Sequence, residues 1–112
     1  MLKNNRGFTL IELVMVIVLL GILAAIAVPR FVDLQGEARL AVLDASVGAV
    51  RSAAIIQFAR TKNANSLATI IANTDLDAKV TLSGGSTCAN AALGHTDGGS
   101  RPFSLISVYC AG

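Results

Sequence analysis

Charged side chains are scarce in this sequence. Asp, Glu, Lys and Arg make up 14% of its 112 residues, against 54% apolar. A chain that apolar is not an ordinary soluble domain, and it points to contact with a membrane. The formal net charge is only +2, and no basic patch is interleaved with aromatics, so no nucleic-acid site is evident. Aromatics are also few: no Trp, one Tyr and four Phe. With a single histidine, His95, the two cysteines Cys88 and Cys110 cannot complete a zinc site at their spacing. Asp75, Asp77 and Asp97 lack a calcium-loop motif, so no metal or cofactor is expected. No nucleophile–base pair or phosphate loop is present, which argues against an enzyme. Repeats and low-complexity stretches are absent, and the length allows one small domain at most.

What the chain does have is GFTLIELVMVIVLLGILAAIAVP, Gly7 to Pro29. Leu13 to Val28 carries no charged or strongly polar side chain. Phe8 to Val28 as a helix spans roughly 30 Å, the hydrocarbon thickness of a bilayer. Lys3 and Arg6 precede it, so the first residues are expected to stay in the cytoplasm and the rest to lie across the membrane. The same order fits a secretory signal peptide, with Ala24, Ala25 and Ala27 as a small-residue cleavage site. Against that, the apolar period continues into a helix that reads as structural. One carboxylate, Glu12, interrupts the apolar run near its start. Such a group costs roughly 2.5–3.5 kcal/mol or more in a bilayer core and needs a partner. It also completes Thr9-x-x-Glu12, a capping box whose acid complements the helix dipole.

Past Pro29 the sequence RFVDLQGEARLAVLDASVGAVRSAAIIQFARTKNAN favours helix. Leu34, Ala38, Ala41, Ala45, Ala49 and Ile56 form one apolar set; Leu40, Leu43, Val47 and Val50 form another. At about 100° per residue the two lie on different sides of one helix, with Arg30, Asp33, Glu37, Asp44 and Arg51 between them. One side can cover the chain's own domain and the other can meet neighbouring copies. Asn63 to Asn65 is expected to end the helix. SLATIIA, Ser66 to Ala72, reads as either a helical turn or an extended segment. KVTL, Lys79 to Leu82, reads as a strand before a Gly84-Gly85 turn, Ala89 to Ser100 as loop, and FSLISVY, Phe103 to Tyr109, as the best strand. The expected fold class is α+β, a long N-terminal helix on a small antiparallel sheet of two or three strands. Cys88 and Cys110, in a chain that crosses a membrane, are most simply a disulfide in an oxidising compartment. Closing that loop of roughly 23 residues is worth about 3 kcal/mol by chain entropy.

The residues Gly7, Phe8, Thr9, Leu10, Ile11 and Glu12, with a basic leader before and an apolar span after, resemble the signature of type IV pilins and their pseudopilin relatives. The resemblance is strong from Lys3 to about Arg51 and weak beyond. PRFVDLQGEAR, Pro29 to Arg39, is similar to the mannose-sensitive haemagglutinin subgroup of the type IVa pilins. The resemblance implies a pilin fold and a leader, 1–7, removed by a prepilin peptidase between Gly7 and Phe8. It further implies N-methylation of Phe8 and pairing of Glu12 with the Phe8 amine of another copy during filament assembly. A transmembrane and filament-core helix would occupy 8–29, with Gly21 and Pro29 as points of flexibility. An amphipathic helix would occupy 30–63, and a head with a disulfide-bounded loop 64–112.

On this resemblance the chain is expected to be a structural subunit of a type IV pilus serving adhesion, surface motility or DNA uptake. Its partners would be further copies in a helical filament, the prepilin peptidase, the inner-membrane assembly machinery and, before assembly, the lipid bilayer. The precursor would cross the inner membrane once and the assembled subunit would stand on the cell surface. Sparse aromatics disfavour an electron-transfer filament. The alternatives are a pseudopilin of a type II secretion system, disfavoured by the cysteine pair, and a single-span membrane protein with a small binding domain.

Overall fold

The computed structural model describes residues 7–112. Lys3 and Arg6, and all of the expected leader except Gly7, lie outside the described residues. The architecture is α+β. A helix of 52 residues, α1 (Leu10–Thr61), precedes a short strand β1 (Asn65–Ser66), a short helix α2 (Leu67–Ala72), strands β2 (Val80–Thr87), β3 (Asn90–His95) and β4 (Ser100–Phe103), and a final strand β5 (Cys110–Ala111). The described residues form two compact units, Met1–Gln35, of which 7–35 are described, and Gly36–Gly112.

In the first unit every described residue is exposed. The apolar stretch of α1 has a mean hydropathy of 3.0 with none of it buried, so it is long and apolar enough to cross a membrane. The helix is unbroken at Gly21 and Pro29. Pro29 brings no N–H, so the carbonyl one turn before it has no helical partner from that residue.

The second unit has one core. Leu43, Val47, Val50 and Ala54 recur at spacings of four and three along α1 and are buried, as a helix face against a sheet requires. They meet Leu67 and Ile70 of α2, Val80 of β2, Ala91 and Leu93 of β3, and Phe103 and Leu105. Leu43, Val50, Ile70 and Leu93 are sealed from solvent. Burial of each such aliphatic side chain is worth roughly 1.5–3 kcal/mol. The second apolar set of α1 thus covers its own domain. Of the first set, Ala38, Ala41, Ala45 and Ile56 stay exposed and Ala49 is half-buried. Ser66 resolves the SLATIIA segment as helix: its hydroxyl accepts from the Thr69 N–H at 3.3 Å and caps α2.

The sheet is antiparallel in the order β2-β3-β4, and β1 pairs with β5 in parallel. Three local expectations are corrected. Gly84-Gly85 is no turn: β2 runs through it with two register irregularities, and the hairpin closes at Cys88-Ala89, since Thr87 pairs with Asn90. Gly85 sits at φ +67°, where a Cβ would collide with the Asn90 carbonyl, so the glycine serves a bulge. Ala89 to Ser100 is not all loop, because β3 occupies Asn90–His95 as the central strand. Its small residues have weak strand preference, and the close approach of β2 decides the matter. A Cβ on Gly94 would lie 2.5 Å from that of Ser83.

FSLISVY is not a strand beyond Phe103. Phe103 pairs with Ala91, next to the first residue of β3, so Ser104 onward has run past the end of its neighbour. The chain instead turns. The Leu105 N–H donates to the Cys88 carbonyl at 2.7 Å, and the Tyr109 and Cys110 N–H groups donate to the Ile106 carbonyl at 3.0 and 3.2 Å.

Candidate functional site

The start of α1 is built by Thr9. Its carbonyl accepts the Leu13 N–H at 3.3 Å and its hydroxyl accepts the Glu12 N–H at 3.3 Å, which makes Thr9 the N-cap. Half of the capping box is therefore formed. Among the described residues no hydrogen bond returns from the Glu12 carboxylate to the Thr9 N–H. Glu12 shares an open notch of about 220 Å³ with Phe8, Leu13 and Val16. Phe8 is 86% exposed, and nothing lies within 4 Å of a side chain added at Gly7. Gly7, Phe8 and Glu12 are thus gathered at one exposed helix start, with an acid beside an apolar hollow. Gly21 and Pro29 lie further along the same exposed helix and are not part of this group.

The cysteines come together as expected. Cys88 and Cys110 form a disulfide with their Cα atoms 5.8 Å apart. The bridge joins the β2–β3 hairpin turn to β5. Around it the Cys88 N–H donates to the Gly112 carbonyl at 2.8 Å and the Asn65 N–H to the Tyr109 carbonyl at 3.2 Å. Tyr109 also meets Phe58 of α1 edge-to-face, with ring centroids 5.3 Å apart.

Polar ties that sequence spacing did not single out fasten the sheet to α1. Lys79 Nζ donates to Asp97 Oδ2 at 2.8 Å, and Arg39 Nη1 donates to the Asp97 carbonyl at 2.8 Å. The hydrogen bond and charge of Lys79 hold the Asp97 carboxyl below the ordinary aspartate range, and Asp97 in turn raises Lys79. Both groups are solvated, so the pair is modest in strength. His95, expected in a loop, ends β3; its Nδ1 accepts the Asp97 N–H at 3.1 Å, which places the ring's proton on Nε2 in the neutral form. Arg101 Nε lies 2.8 Å from Asp44 Oδ1 without the alignment of a hydrogen bond, while Nη2 donates to Oδ2 at 3.3 Å. Arg39 and Asp97 are 58 positions apart and Arg101 and Asp44 are 57 apart; no local pattern marks such partners.

An exposed apolar stretch of helix with one acid in its first turn, together with a small α+β unit closed by a disulfide, is a pilin-like layout. A family model described as the prokaryotic N-terminal methylation motif matches residues 2–28. The chain is similar to the type IV narrow pilus major component PilA5 of Thermus thermophilus, 53% identical over 61% of this chain and 59% of that protein. It is 56% identical to the type IV major pilin protein PilA of Myxococcus xanthus over 32% of this chain and 16% of that protein. It is also 39% identical to the type II secretion system core protein G of Pseudomonas aeruginosa over 46% of this chain and 36% of that protein. The chain spans less than two thirds of the length of these curated relatives. No solved structure matches it. The resemblance to type IV pilins of the IVa type therefore stands on the motif and on these relatives.

Proposed function

We propose that this protein is a structural, non-enzymatic subunit of a type IV pilus, held in the inner membrane by α1 before assembly and carried to the cell surface within a filament. The observation that carries this is Glu12, an acid at the start of the exposed, apolar N-terminal stretch of α1. A lone carboxylate there is costly in lipid. It is relieved if a neighbour supplies a positive charge, and removal of the leader after Gly7 creates one on Phe8. The free amine has an unperturbed pKa of about 7.7–8, and N-methylation keeps it basic. Copies leaving the membrane can then stack with the Phe8 amine of one against Glu12 of another, their exposed apolar helices burying one another. Gly21 and Pro29 would let that helix adjust as it packs. The prepilin peptidase and the inner-membrane assembly machinery are the partners this route requires.

The second face of α1 supports the same reading. Ala38, Ala41, Ala45 and Ile56 remain uncovered by their own domain, as a subunit that packs against copies of itself needs. The likeness to PilA5, named as a major component of a narrow pilus, favours a pilus. The likeness to a type II secretion core protein keeps a secretion pseudopilus as the second reading. The deciding experiment is electron microscopy of fibres sheared from the producing cell, with mass spectrometry of their subunit. Surface fibres whose subunit begins at N-methylated Phe8 are expected. A subunit that keeps residues 1–7 and stays in the membrane would refute the proposal, and fibres seen only when a secretion system is overproduced would favour the pseudopilus.

A further inference from the structure

We infer that the Asp97-Gly98 junction is a site of spontaneous backbone modification: Asp97 converts to isoaspartate when the turn between β3 and β4 opens, and the hydrogen bonds of the native turn hold it unmodified. This is the single Asp-Gly pair in the sequence, and Asn-Gly does not occur. The turn itself calls for both residues. Gly98 and Gly99 sit at φ +109° and +96°, where a side chain would be strained. Asp97 supplies the carboxylate that Lys79 holds. The same pair sets an amide nitrogen with no side chain beside it next to the carboxyl of a short side chain.

The chemistry needs only water. The Gly98 nitrogen attacks the side-chain carboxyl carbon of Asp97. Its proton and the carboxyl OH leave together as water, and a cyclic imide remains. Water then adds to the carbon that was the Asp97 main-chain carbonyl, the bond from that carbon to the Gly98 nitrogen breaks, and the nitrogen regains a proton. The chain now runs through the former side-chain carboxyl, and the former main-chain carbonyl is a free carboxyl. Mass is unchanged and nothing is oxidised or reduced. The backbone is longer by a methylene, which shifts both the carbonyl that Arg39 holds and the carboxyl that Lys79 holds.

The native turn engages each group that must move. The Asp97 N–H donates to His95 Nδ1 at 3.1 Å, and the Asp97 carbonyl accepts from Arg39 at 2.8 Å. The carboxylate accepts from Lys79 at 2.8 Å, and the Gly98 N–H donates to the His95 carbonyl at 2.9 Å. The His95 N–H closes the turn on the Gly99 carbonyl at 3.1 Å. Attack requires the Gly98 nitrogen to leave the His95 carbonyl and the carboxyl to swing away from Lys79. It also requires a protonated carboxyl, because the oxygen of a carboxylate is a poor leaving group. Lys79 above all, with His95 and Arg39 beside it, keeps Asp97 ionised.

The test incubates the disulfide-bonded full-length protein in detergent at neutral pH, beside the same chain reduced and unfolded in urea. Peptide maps taken over time read isoaspartate at position 97 as a separated peak of unchanged mass that a protease cutting before Asp no longer cleaves. The unfolded chain should accumulate it, and the folded chain should do so more slowly by roughly tenfold or more, since reaction waits on local opening. An unfolded chain that keeps Asp97 intact overturns the site, and equal rates in the two states overturn its protection by the fold. Lys79→Met, shown by circular dichroism to be folded, should react faster than wild type by roughly two- to fivefold, the factor that a solvated ion pair supplies. That gap should close once the medium is acidic enough to protonate Asp97 in both proteins. A folded Lys79→Met no faster than wild type overturns the protective role of the tie, and a gap that persists in acid overturns the part assigned to charge. Arg39→Met, which frees only the Asp97 carbonyl, is the second variant should Lys79→Met fail to fold. It should also react faster than wild type, and an unchanged rate there overturns protection by the tethered turn.

Discussion

At the scale of single residues, Glu12 combines two physical roles that a substitution can separate. Its backbone N–H is capped by Thr9, and its side chain lines an apolar notch with Phe8, Leu13 and Val16. Glu12→Leu keeps the cap and removes the charge, so membrane insertion should improve or stay level. Cleavage should proceed because Gly7 and Phe8 are unchanged. Filament growth should fail, since a neighbour's Phe8 amine would be buried without a counter-charge. The check is the cleaved monomer pool measured together with fibre yield, and abundant fibres from the processed variant would leave Glu12 as a helix-terminus residue only. Thr9→Val tests the cap by itself: a loss of about 1 kcal/mol in the first turn, read as faster amide exchange from Leu10 to Leu13, with fibres still made. For Gly7 the expectation is steric. A side chain at a protease subsite obstructs the cut, so Gly7→Val should leave an unprocessed precursor in the membrane fraction.

At the scale of elements, the disulfide and the Lys79–Asp97 tie hold the short strands in place. Cys88→Ser frees the chain between the β2–β3 hairpin and β5. By chain entropy the cost is about 3 kcal/mol, which should lower the melting temperature of the Gly36–Gly112 unit sharply and leave the apolar part of α1 helical in detergent. The tie between Lys79 and Asp97 makes stability depend on pH in a definite sense. Asp97 has its pKa lowered by Lys79, so its contribution is full above the unfolded value of about 3.9 and fades as pH falls through the lower folded value. Lys79 has its pKa raised by Asp97, so its contribution is full below about 10.4 and fades as pH rises through the higher folded value. Asp97→Asn should therefore lower the melting temperature at pH 7, and the gap to wild type should close once the medium is acidic enough to protonate Asp97 in the folded protein. A gap that persists at that pH would mean the side chain acts by shape instead of charge. The same elements mark where sequence reading failed. α1 was legible because its pattern repeats over many turns. β3 was not, because Asn-Ala-Ala-Leu-Gly-His has neither alternation nor β-branched residues, and it is a strand only through its two neighbours.

At the scale of the whole molecule, the two compact units obey different solvents. The apolar part of α1 has no protein cover, while the Gly36–Gly112 unit encloses a core sealed at Leu43, Val50, Ile70 and Leu93. A fragment of residues 36–112 should accordingly fold in water with its disulfide formed, whereas the full chain should need detergent or lipid. Circular dichroism and thiol titration of the fragment check this; a fragment without a cooperative melt would show that the preceding helix is required for folding. Sequence by itself determined the membrane-compatible helix, the acid within it, the resemblance of the Gly7-Phe8 stretch to the pilin signature and the two-sided character of α1. Each of these is written in contiguous residues or in a helical period, where local chemistry is sufficient. Only tertiary structure decided which apolar side of α1 is covered, that the hairpin turns at Cys88-Ala89, that Phe103 ends its strand, and that Asp97 and Asp44 are held by residues distant in sequence. Those outcomes depend on which segments run out of partners, and a strand or ion pair exists only where another part of the chain comes to meet it.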